Sequence, residues 1–146
     1  MSDREYPTRP FVGIGIVVIK GDRVLLCRRG KPPNVGTWTL PGGAQDLGET
    51  VETGARRELL EETGLTVGAL HFCAHVDVVR EDHDGRVRFH YTILDFAAQW
   101  VSGEPVAGSD VSEVEWAPLD ALQPYDLWSE AHRVIAIARR LVSEAA

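Results

Sequence analysis

Glu58, Glu61 and Glu62 fall within five residues of one another in a predicted helix, with no lysine near them. Residues three and four apart share one face of an α-helix. The three carboxylates therefore converge on one patch. Glu58 and Glu62 form a like-charge pair, which destabilises an isolated helix by roughly 0.2–0.5 kcal/mol. The repulsion between these two carboxylates predicts a bound cation whose positive charge offsets it.

The donor atoms of this stretch indicate which cation it would bind. Only oxygen donors are available, and no His or Cys lies close in sequence. Hard oxygen donors favour Mg²⁺, Mn²⁺ or Ca²⁺ over Zn²⁺. Mg²⁺ typically takes a few carboxylates together with waters and substrate phosphates. The pattern therefore predicts a magnesium–phosphate platform, with Mn²⁺ as an alternative metal.

The glutamates belong to a longer pattern over residues 43–65, GAQDLGETVETGARRELLEETGL. This stretch resembles the Nudix box, and it matches the box at nine specified positions: Gly43, Glu49, Arg57, Glu58, Leu59, Glu61, Glu62, Gly64 and Leu65. Nine positions at fixed spacing are far more specific than a lone glycine motif. The preceding TWTLPGG and the later EVEWAPLDAL also look like Nudix segments. The resemblance therefore covers nearly the whole chain.

The resemblance implies a role for each glutamate of the cluster. The matching family positions bind the essential divalent metals, and one of them can act as base toward the attacking water. We therefore expect Glu58, Glu61 and Glu62 to bind metal, and Glu58 and Glu61 to be catalytic. Without the box, a solvated acidic helix face would be the usual interpretation of such a charge run.

Three further residues of the box are expected to support the site. The glycine that matches Gly43 supplies a backbone carbonyl to the metal in the family, although a plain turn would also explain Gly42-Gly43. The family counterpart of Arg57 braces the glutamates, and Glu49 is its expected partner. The alternative for Arg57 is a surface ion pair with Glu61 four residues on, which would add little stability.

The family usually adds an acidic residue from a distal loop, and four residues compete for this role: Glu104, Asp110, Glu113 and Glu115. Asp110 and Glu113 precede the strand containing Trp116 at about the right distance. Asp110 is included among the predicted catalytic residues. A solvated loop carboxylate is the alternative for each of the four.

Arg28, Arg29 and Trp38 are the predicted substrate-binding residues. The two arginines end a strand, so alternation sends their side chains to opposite faces. One of them could donate charge-assisted hydrogen bonds to a phosphate, although edge charges that discourage aggregation are an equal alternative. Trp38 could stack on a base, while most strand aromatics belong to the core.

The elements that must position these residues follow from local patterns. Strands are predicted over residues 11–20, 23–29, 37–40, 70–80, 86–98 and 111–117, the fourth and fifth forming a hairpin around EDHDG. A helix is predicted between an N-cap at Thr50 and a C-terminal glycine at Gly64, and another over 129–142. Gly54 replaces the alanine more usual in the family, at a cost of roughly 1 kcal/mol, and close packing against a strand could explain it. Two helices around a mixed sheet indicate an α/β fold, and the resemblance makes it the Nudix α/β/α sandwich.

Composition sets the remaining expectations. The length of 146 residues predicts one domain over 1–146. A net charge of −7 disfavours a nucleic-acid-binding domain, and Cys27, in an apolar run, is expected to be a buried free thiol. The polar start MSDREYPTRP and the lack of a long apolar run predict a cytoplasmic protein with no membrane partner. Nudix proteins are often dimers, so a homodimer agrees with the resemblance.

The resemblance implies a metal-dependent hydrolase whose partner is a small-molecule nucleotide diphosphate. ADP-ribose-like compounds are the first expectation. However, the region VVREDHDG lacks the proline that many ADP-ribose pyrophosphatases carry about 16 residues after the box, and the SQPWPFPxS segment of NADH pyrophosphatases is absent. The alternative is a nucleoside triphosphate pyrophosphohydrolase that releases a monophosphate and pyrophosphate. A non-catalytic nucleotide-binding module is the competing class, and the unbroken box argues against it.

Overall fold

The computed structural model describes residues 4–32 and 34–145. Residues 1–3, Pro33 and Ala146 lie outside it, so the first residues of the polar start and one residue of the loop predicted over 30–36 are not described. The elements are β1 (Phe11–Lys20), β2 (Arg23–Arg29), β3 (Trp38–Thr39), β4 (Gly42–Ala44), α1 (Val51–Thr63), β5 (His71–Glu81), β6 (Val87–Gln99), β7 (Val111–Pro118), a short 3-10 helix (Gln123–Tyr125) and α2 (Ser129–Ala145). The predicted strands and helices are confirmed with small shifts of their ends. The strand β4 and the 3-10 helix were not predicted.

Seven strands form one mixed sheet. The order is β3-β2-β1-β6-β5, with β4 added to β1 and β7 added to β2. β1 and β6 are parallel, and the other pairs are antiparallel. The central strand β1 is an almost continuous apolar run, as expected for a strand that is covered on both faces.

The helices cover opposite faces of this sheet, so the predicted α/β/α sandwich is confirmed. Alternate residues of β1 belong to separate cores, because successive side chains of a strand point to opposite faces. Ile14, Ile16 and Val18 pack with Ala55 and Leu59 of α1. Val17 and Ile19 pack with α2 through Val134, Ile135 and Ala138. None of the helices within the described ranges is long and apolar enough to cross a membrane.

Both predicted caps of α1 are present. The Thr50 side chain accepts a hydrogen bond from the Thr53 N–H at 3.2 Å, which satisfies a donor of the first turn. Gly64 ends the helix with φ 74°, and its N–H donates to the Leu60 carbonyl at 2.9 Å. Cys27, as predicted, is a buried free thiol.

The packing of α1 on β1 accounts for the unusual Gly54. A Cβ at this position would lie 2.5 Å from Cδ1 of Ile14 and 2.8 Å from Oε1 of Glu49. Both distances are shorter than ordinary van der Waals contact, so alanine would displace one of these side chains. The glycine therefore lets the first turn of α1 lie close to β1 and to Glu49.

Candidate active site

Arg57 lies at the centre of the acidic cluster. Its guanidinium donates to Glu49 through Nε and Nη2, at 3.0 and 2.7 Å. Nη1 donates to Oε1 of Glu58 at 2.9 Å and to Oε2 of Glu61 at 3.2 Å. The carbonyl of Ala44 accepts a further bond from Nη2 at 3.1 Å. One side chain thus joins α1, β4 and the connecting loop, which is the contact pattern expected of a bracing residue.

The pairing with Arg57 fixes Glu49 as a carboxylate. The hydrogen bonds from Arg57, together with one from the Asp46 N–H at 2.8 Å, lower the pKa of Glu49 to about 2. Arg57 is stabilised in return, because Glu49 and Glu58 raise the pKa of its guanidinium further. The pair therefore stays ionised across the physiological range.

Glu58 is packed tightly against β4. Its side chain is only 13% exposed, and a Cβ on Gly43 would lie 2.5 Å from its Cδ. No side chain larger than hydrogen fits at position 43 unless Glu58 moves. Burial raises the pKa of the Glu58 carboxyl above its ordinary value, and the hydrogen bond from Arg57 opposes that rise.

Glu62 occupies the most desolvated position of the cluster. Its Oε1 accepts the Gly42 N–H at 2.9 Å, which ties α1 to the start of β4. Burial raises the pKa of the Glu62 carboxyl to about 7, and the Gly42 N–H acts against the rise. Glu61 is more open, with 47% of its side chain exposed.

The cluster fits a hard divalent cation by its donor chemistry. Glu58, Glu61 and Glu62 offer only oxygen atoms, and Glu58 and Glu61 come together on the same Nη1 atom. Within the described residues, no three such side chains already form a metal-binding group. Arg57 bonds one oxygen of each carboxylate, Oε1 of Glu58 and Oε2 of Glu61, so the second oxygen of each can face a metal while Arg57 stays in place. The assignment of metal ligands stays a prediction.

The loop that follows β6 brings Asp110 to this cluster. The N–H groups of Val106, Gly108 and Ser109 donate to the last carbonyls of α1 at 2.9–3.0 Å, which satisfies acceptors that a helix end leaves open. A Cβ on Gly108 would collide with the Glu61 carbonyl, so the close approach requires glycine. Asp110 has φ 62°, and it lies near enough to Glu62 to raise the pKa of that carboxyl.

The other distal carboxylates are less suitably placed. Glu113 makes an ion pair with Arg28 at 3.1 Å, and Glu115 accepts a hydrogen bond from the Tyr125 hydroxyl. Glu104 is exposed. Asp110 itself pairs with Lys31 at 2.7 Å, both side chains being largely exposed. The geometry therefore favours Asp110 among the four candidates, although its catalytic role stays a prediction.

The predicted substrate residues divide between two sides of the sheet. Arg28 lies over the Trp38 ring at 5.7 Å and donates to the Gly36 carbonyl at 3.0 Å. Arg29, beyond a bulge in the pairing of β2 with β7, lowers the pKa of Glu62 by its charge and so lies on the side of the acidic cluster. Trp38 packs edge-on against Tyr125 at 5.4 Å and is half-buried.

Sequence reasoning missed the loop that holds the cluster together. Asp46 makes a second ion pair with Arg57 at 3.3 Å, and the Gln45 side chain donates to the Glu49 carbonyl at 2.7 Å. These residues lie inside the box at positions that the pattern leaves unspecified. Their contacts arise from the way residues 44–49 fold back on α1, which no spacing rule describes.

The chain is similar to hydrolases of known activity. A model of the NUDIX domain matches residues 9–137. The oxidized purine nucleoside triphosphate hydrolase of Mus musculus is 34% identical over 115 residues, which cover 79% of this chain and 70% of that protein. The ADP-ribose pyrophosphatase of Methanocaldococcus jannaschii is 34% identical over 113 residues, covering 77% and 64%. Among solved structures, the MutT NUDIX hydrolase of Burkholderia pseudomallei superposes with a TM-score of 0.77 at 30% identity, covering 88% of this chain and 98% of that one.

These matches extend well beyond the box. The family model includes the sheet, α1 and about half of α2, and the superposition with the Burkholderia protein reproduces the arrangement of these layers. The prediction made from nine residues is therefore confirmed by the whole domain: the chain belongs to the Nudix family of hydrolases.

Proposed function

We propose that this chain hydrolyses the diphosphate bond of nucleoside diphosphate derivatives, with ADP-ribose-like compounds as the first substrate class. The observation that carries the proposal is the convergence of Glu58 and Glu61 on Arg57, beside the glycine backbone of β4. Such a cluster is suited to holding cations against a diphosphate. The related ADP-ribose pyrophosphatase supports this substrate class.

A nucleoside triphosphate pyrophosphohydrolase is the second candidate. It is supported by the related oxidized purine nucleoside triphosphate hydrolase, which has the same identity to this chain as the ADP-ribose enzyme. Both reactions need the same cluster and differ in which anhydride bond is presented to it. A non-catalytic binding module is the weaker candidate, because Arg57 and all three glutamates are present, with Glu58 and Glu61 bonded to Arg57 and Glu62 bonded to the Gly42 N–H.

The metal would be held by Glu58, Glu61 and Glu62, with the Gly43 carbonyl as a further ligand, and Mg²⁺ or Mn²⁺ suits such oxygen donors. When bound, it would polarise the phosphoryl oxygens and offset the negative charge of substrate and carboxylates. Arg57 keeps Glu49 out of this set, because it holds that carboxylate in a two-pronged ion pair.

The protein's own groups would carry the proton transfer. The raised pKa of Glu58 makes its carboxylate a better proton acceptor than a solvated glutamate, and Glu61 and Asp110 are the other candidate bases. Water attacks phosphorus as its proton passes to the carboxylate, and the bond from phosphorus to the bridging oxygen breaks. The products from an NDP-X substrate are two phosphate monoesters. Arg29, on the side of the cluster, would bind the diphosphate by its charge. Arg28 and Trp38 would contact the nucleoside part of the substrate.

Phosphate release from a substrate panel tests the proposal. The panel contains ADP-ribose, nucleotide sugars, dinucleoside polyphosphates, and canonical and oxidised nucleoside triphosphates, each with Mg²⁺ and with Mn²⁺. We expect monoester products from ADP-ribose, detected after phosphatase treatment, without pyrophosphate. Release of pyrophosphate from triphosphates would instead support the second candidate, a nucleoside triphosphate pyrophosphohydrolase. Tight binding of ADP-ribose without turnover would favour the binding module.

A matched pair of variants tests the distal acid. Asp110→Asn should reduce kcat by roughly 10- to 100-fold if this carboxylate assists catalysis. Glu113→Gln, from the same segment but paired with Arg28, should change kcat less than twofold. Equal losses in the two variants would mean that Asp110 has no special role.

A further inference from the structure

Asp95 is the one buried carboxylate of the described residues outside the acidic cluster. It interrupts the apolar run YTILDFAA near the middle of β6 and is 5% exposed. Its neighbours on the same strand, Phe96, Ala97 and Ala98, are buried apolar side chains. Asp95 lies opposite Gly15 of β1, and a Cβ on that glycine would collide with its Oδ1. The carboxylate therefore points to the face of the sheet that α2 covers.

No donor within residues 4–32 and 34–145 makes a hydrogen bond or an ion pair with this carboxylate. Arg133 of α2 influences it only by charge at longer range. The guanidinium of Arg133 is already engaged with the Glu130 carboxylate at 2.7 Å and the His75 carbonyl at 3.0 Å. Consistent with this isolation, burial raises the pKa of Asp95 to about 6.

An unpartnered buried carboxylate makes the free protein less stable than an apolar residue of similar size would. The surroundings would accept such a residue, because β6 is apolar on both sides of position 95. A carboxylate kept in this position points to a ligand that supplies the missing donor.

Small residues and partly exposed apolar side chains surround Asp95 on this face of the sheet. The residues beside it across the sheet are small: Ala74 on β5, Gly15 on β1 and Gly42 on β4. On the same face, the apolar side chains of Ile93, Leu40 and Trp38 are only half-buried, so α2 does not fully cover this part of the sheet. A floor of small residues with partly open apolar walls suits an aromatic ring.

This floor adjoins the acidic cluster through β4. Gly42 donates its N–H to Glu62 on one side and pairs with Gly15 on the other, and Gly15 is the neighbour of Asp95. Two strand spacings of about 4.8 Å therefore separate Gly42 from Asp95. Glu62 meets Gly42 at the edge of β4 that pairs with no other described strand, so a nucleoside whose diphosphate lies at the cluster can pass over this edge and place its base over Asp95 on the α2 face.

We propose that Asp95 accepts hydrogen bonds from an exocyclic amino group of the substrate's base, and thereby selects amino-bearing bases over their oxo counterparts. The inference rests on the proposed nucleotide hydrolysis. A carboxylate accepts and does not donate when ionised, so it rewards an amino group and disfavours a carbonyl oxygen at the same place. A phosphate would be repelled, which leaves the base as the part of the substrate with matching chemistry.

Pairs of substrates with and without this amino group test the inference: ADP-ribose and its hypoxanthine analogue, dGTP and dITP, and CTP and UTP. Hydrogen bonds to charged groups predict that kcat/KM of the wild type favours the amino-bearing member of at least one pair by roughly 10- to 100-fold. In Asp95→Ala, that ratio should fall to within about threefold of unity. Asp77→Ala, an exposed carboxylate on the neighbouring strand β5, is the matched control and should keep the ratio.

Thermal unfolding separates a ligand-directed role from a structural one. Asp95→Ala should raise the Tm, because it removes an unpaired buried charge, whereas loss of a structural contact would lower it. If Asp95→Ala fails to fold, a structural role is supported against our proposal. The proposal then stands only if the wild type prefers the amino-bearing substrates in kcat/KM and Asp95→Asn loses that preference.

Two results would overturn the inference. These are a wild type that treats both members of every pair alike, and an Asp95→Ala variant that slows all substrates by the same factor. If the wild type hydrolyses no substrate, the proposed function fails, and calorimetry of AMP against IMP and of CMP against UMP still tests Asp95. Binding with amino preference that Asp95→Ala abolishes would then support the inference, and binding without preference, or none at all, would reject it.

Discussion

On the α1 face of the sheet, Arg57 donates hydrogen bonds to Glu49, Glu58 and Glu61, whereas on the α2 face Asp95 has no donor among the described residues. The first arrangement supplies its own counter-charge and holds several carboxylates in fixed relation. The second leaves one carboxylate with its hydrogen-bonding capacity free. The contrast separates two uses of buried acid groups. The carboxylates bonded to Arg57 organise the candidate reaction centre, whereas Asp95 keeps its oxygens available for a donor on a ligand.

The same contrast exists on a smaller scale within the cluster. Hydrogen bonds from Arg57 lower the pKa of Glu49 to about 2, while burial raises the pKa of Glu62 to about 7. Both residues lie in the box, so their different behaviour comes from tertiary surroundings and not from residue type. Glu49 serves as a fixed anion, and Glu62 is the carboxylate with most to gain from a cation.

The largest effect is expected from Glu58→Gln. Turnover should fall by roughly 1000-fold, because a carboxylate that binds metal or accepts a proton becomes a neutral amide of the same shape. The circular dichroism spectrum and Tm should stay close to wild type. Glu52→Gln, in the exposed first turn of the same helix, is the control. Unchanged activity of Glu58→Gln on every diphosphate tested would show that the metal assignment is wrong.

Arg57→Lys tests whether one guanidinium organises the whole cluster. Lysine keeps the charge but cannot make the forked contacts to Glu49 together with those to Glu58 and Glu61. We expect a loss of roughly 3 kcal/mol in the free energy of unfolding by urea, and at least a tenfold loss of kcat. Arg56→Lys is the matched control, because Arg56 of the same helix donates to the carbonyls of Val67 and Gly68 and to no carboxylate of the described residues. Similar losses in both variants would show that Arg57 has no special organising role.

Stability against pH in metal-free protein separates Glu62 from Glu49. The pKa of Glu62 is raised in the folded state, so its favourable contribution is complete below about pH 4.5 and is lost as the pH rises through about 7. Glu62→Gln should therefore be more stable than wild type at pH 8 by roughly 2 kcal/mol. The contribution of Glu49 has the opposite sign, since its pKa is lowered: it is present above about pH 4.5 and lost as the pH falls through about 2.

Urea unfolding of wild type, Glu62→Gln and Glu49→Gln at pH 4, 6 and 8 provides the measurement. The two variants should diverge, with Glu62→Gln gaining and Glu49→Gln losing stability relative to wild type at pH 8. Curves that run parallel to wild type for both variants would contradict the opposite roles assigned to these carboxylates.

The smallest effect concerns the packing that lets α1 approach β1. Gly54→Ala gains helix propensity of about 1 kcal/mol but brings a Cβ against Cδ1 of Ile14. We expect the two terms to leave a net destabilisation of about 1 kcal/mol or less. Ile14→Val removes Cδ1, so the double variant should be more stable than the sum of the single changes predicts. Strict additivity in a double-mutant cycle would remove this explanation of Gly54.

Features that depend on neighbouring residues were predictable from the sequence. The caps of α1 at Thr50 and Gly64 need only local hydrogen bonds and a permissive backbone, and the apolar run of β1 reflects burial on both faces. The resemblance located the glutamates because their helical spacing is part of the pattern. It also named Glu49 as the partner of Arg57, and that contact is present.

Features that depend on distant segments were not predictable. The strand β4 exists because Gly42 and Gly43 pair with β1, while their glycine backbone indicates a turn when considered alone. The choice among the four distal carboxylates required the docking of residues 106–109 on α1. The sequence does mark Asp95, because it is a charged residue within the apolar run YTILDFAA, but only the fold shows that no donor faces it among the described residues.

The attachment of the Asp110 segment to the end of α1 also limits how this protein can vary. Val106, Gly108 and Ser109 each donate an amide to a carbonyl of the last turn, so these amides should exchange with deuterium as slowly as those of the helix itself. An extra residue inserted between positions 106 and 110 would break that register and displace the carboxylate. Insertions between 101 and 105 would lengthen a mostly exposed segment, in which the bond from the Trp100 indole to the Gly103 carbonyl is the contact at risk. Length differences among relatives should therefore accumulate before this segment and not within it.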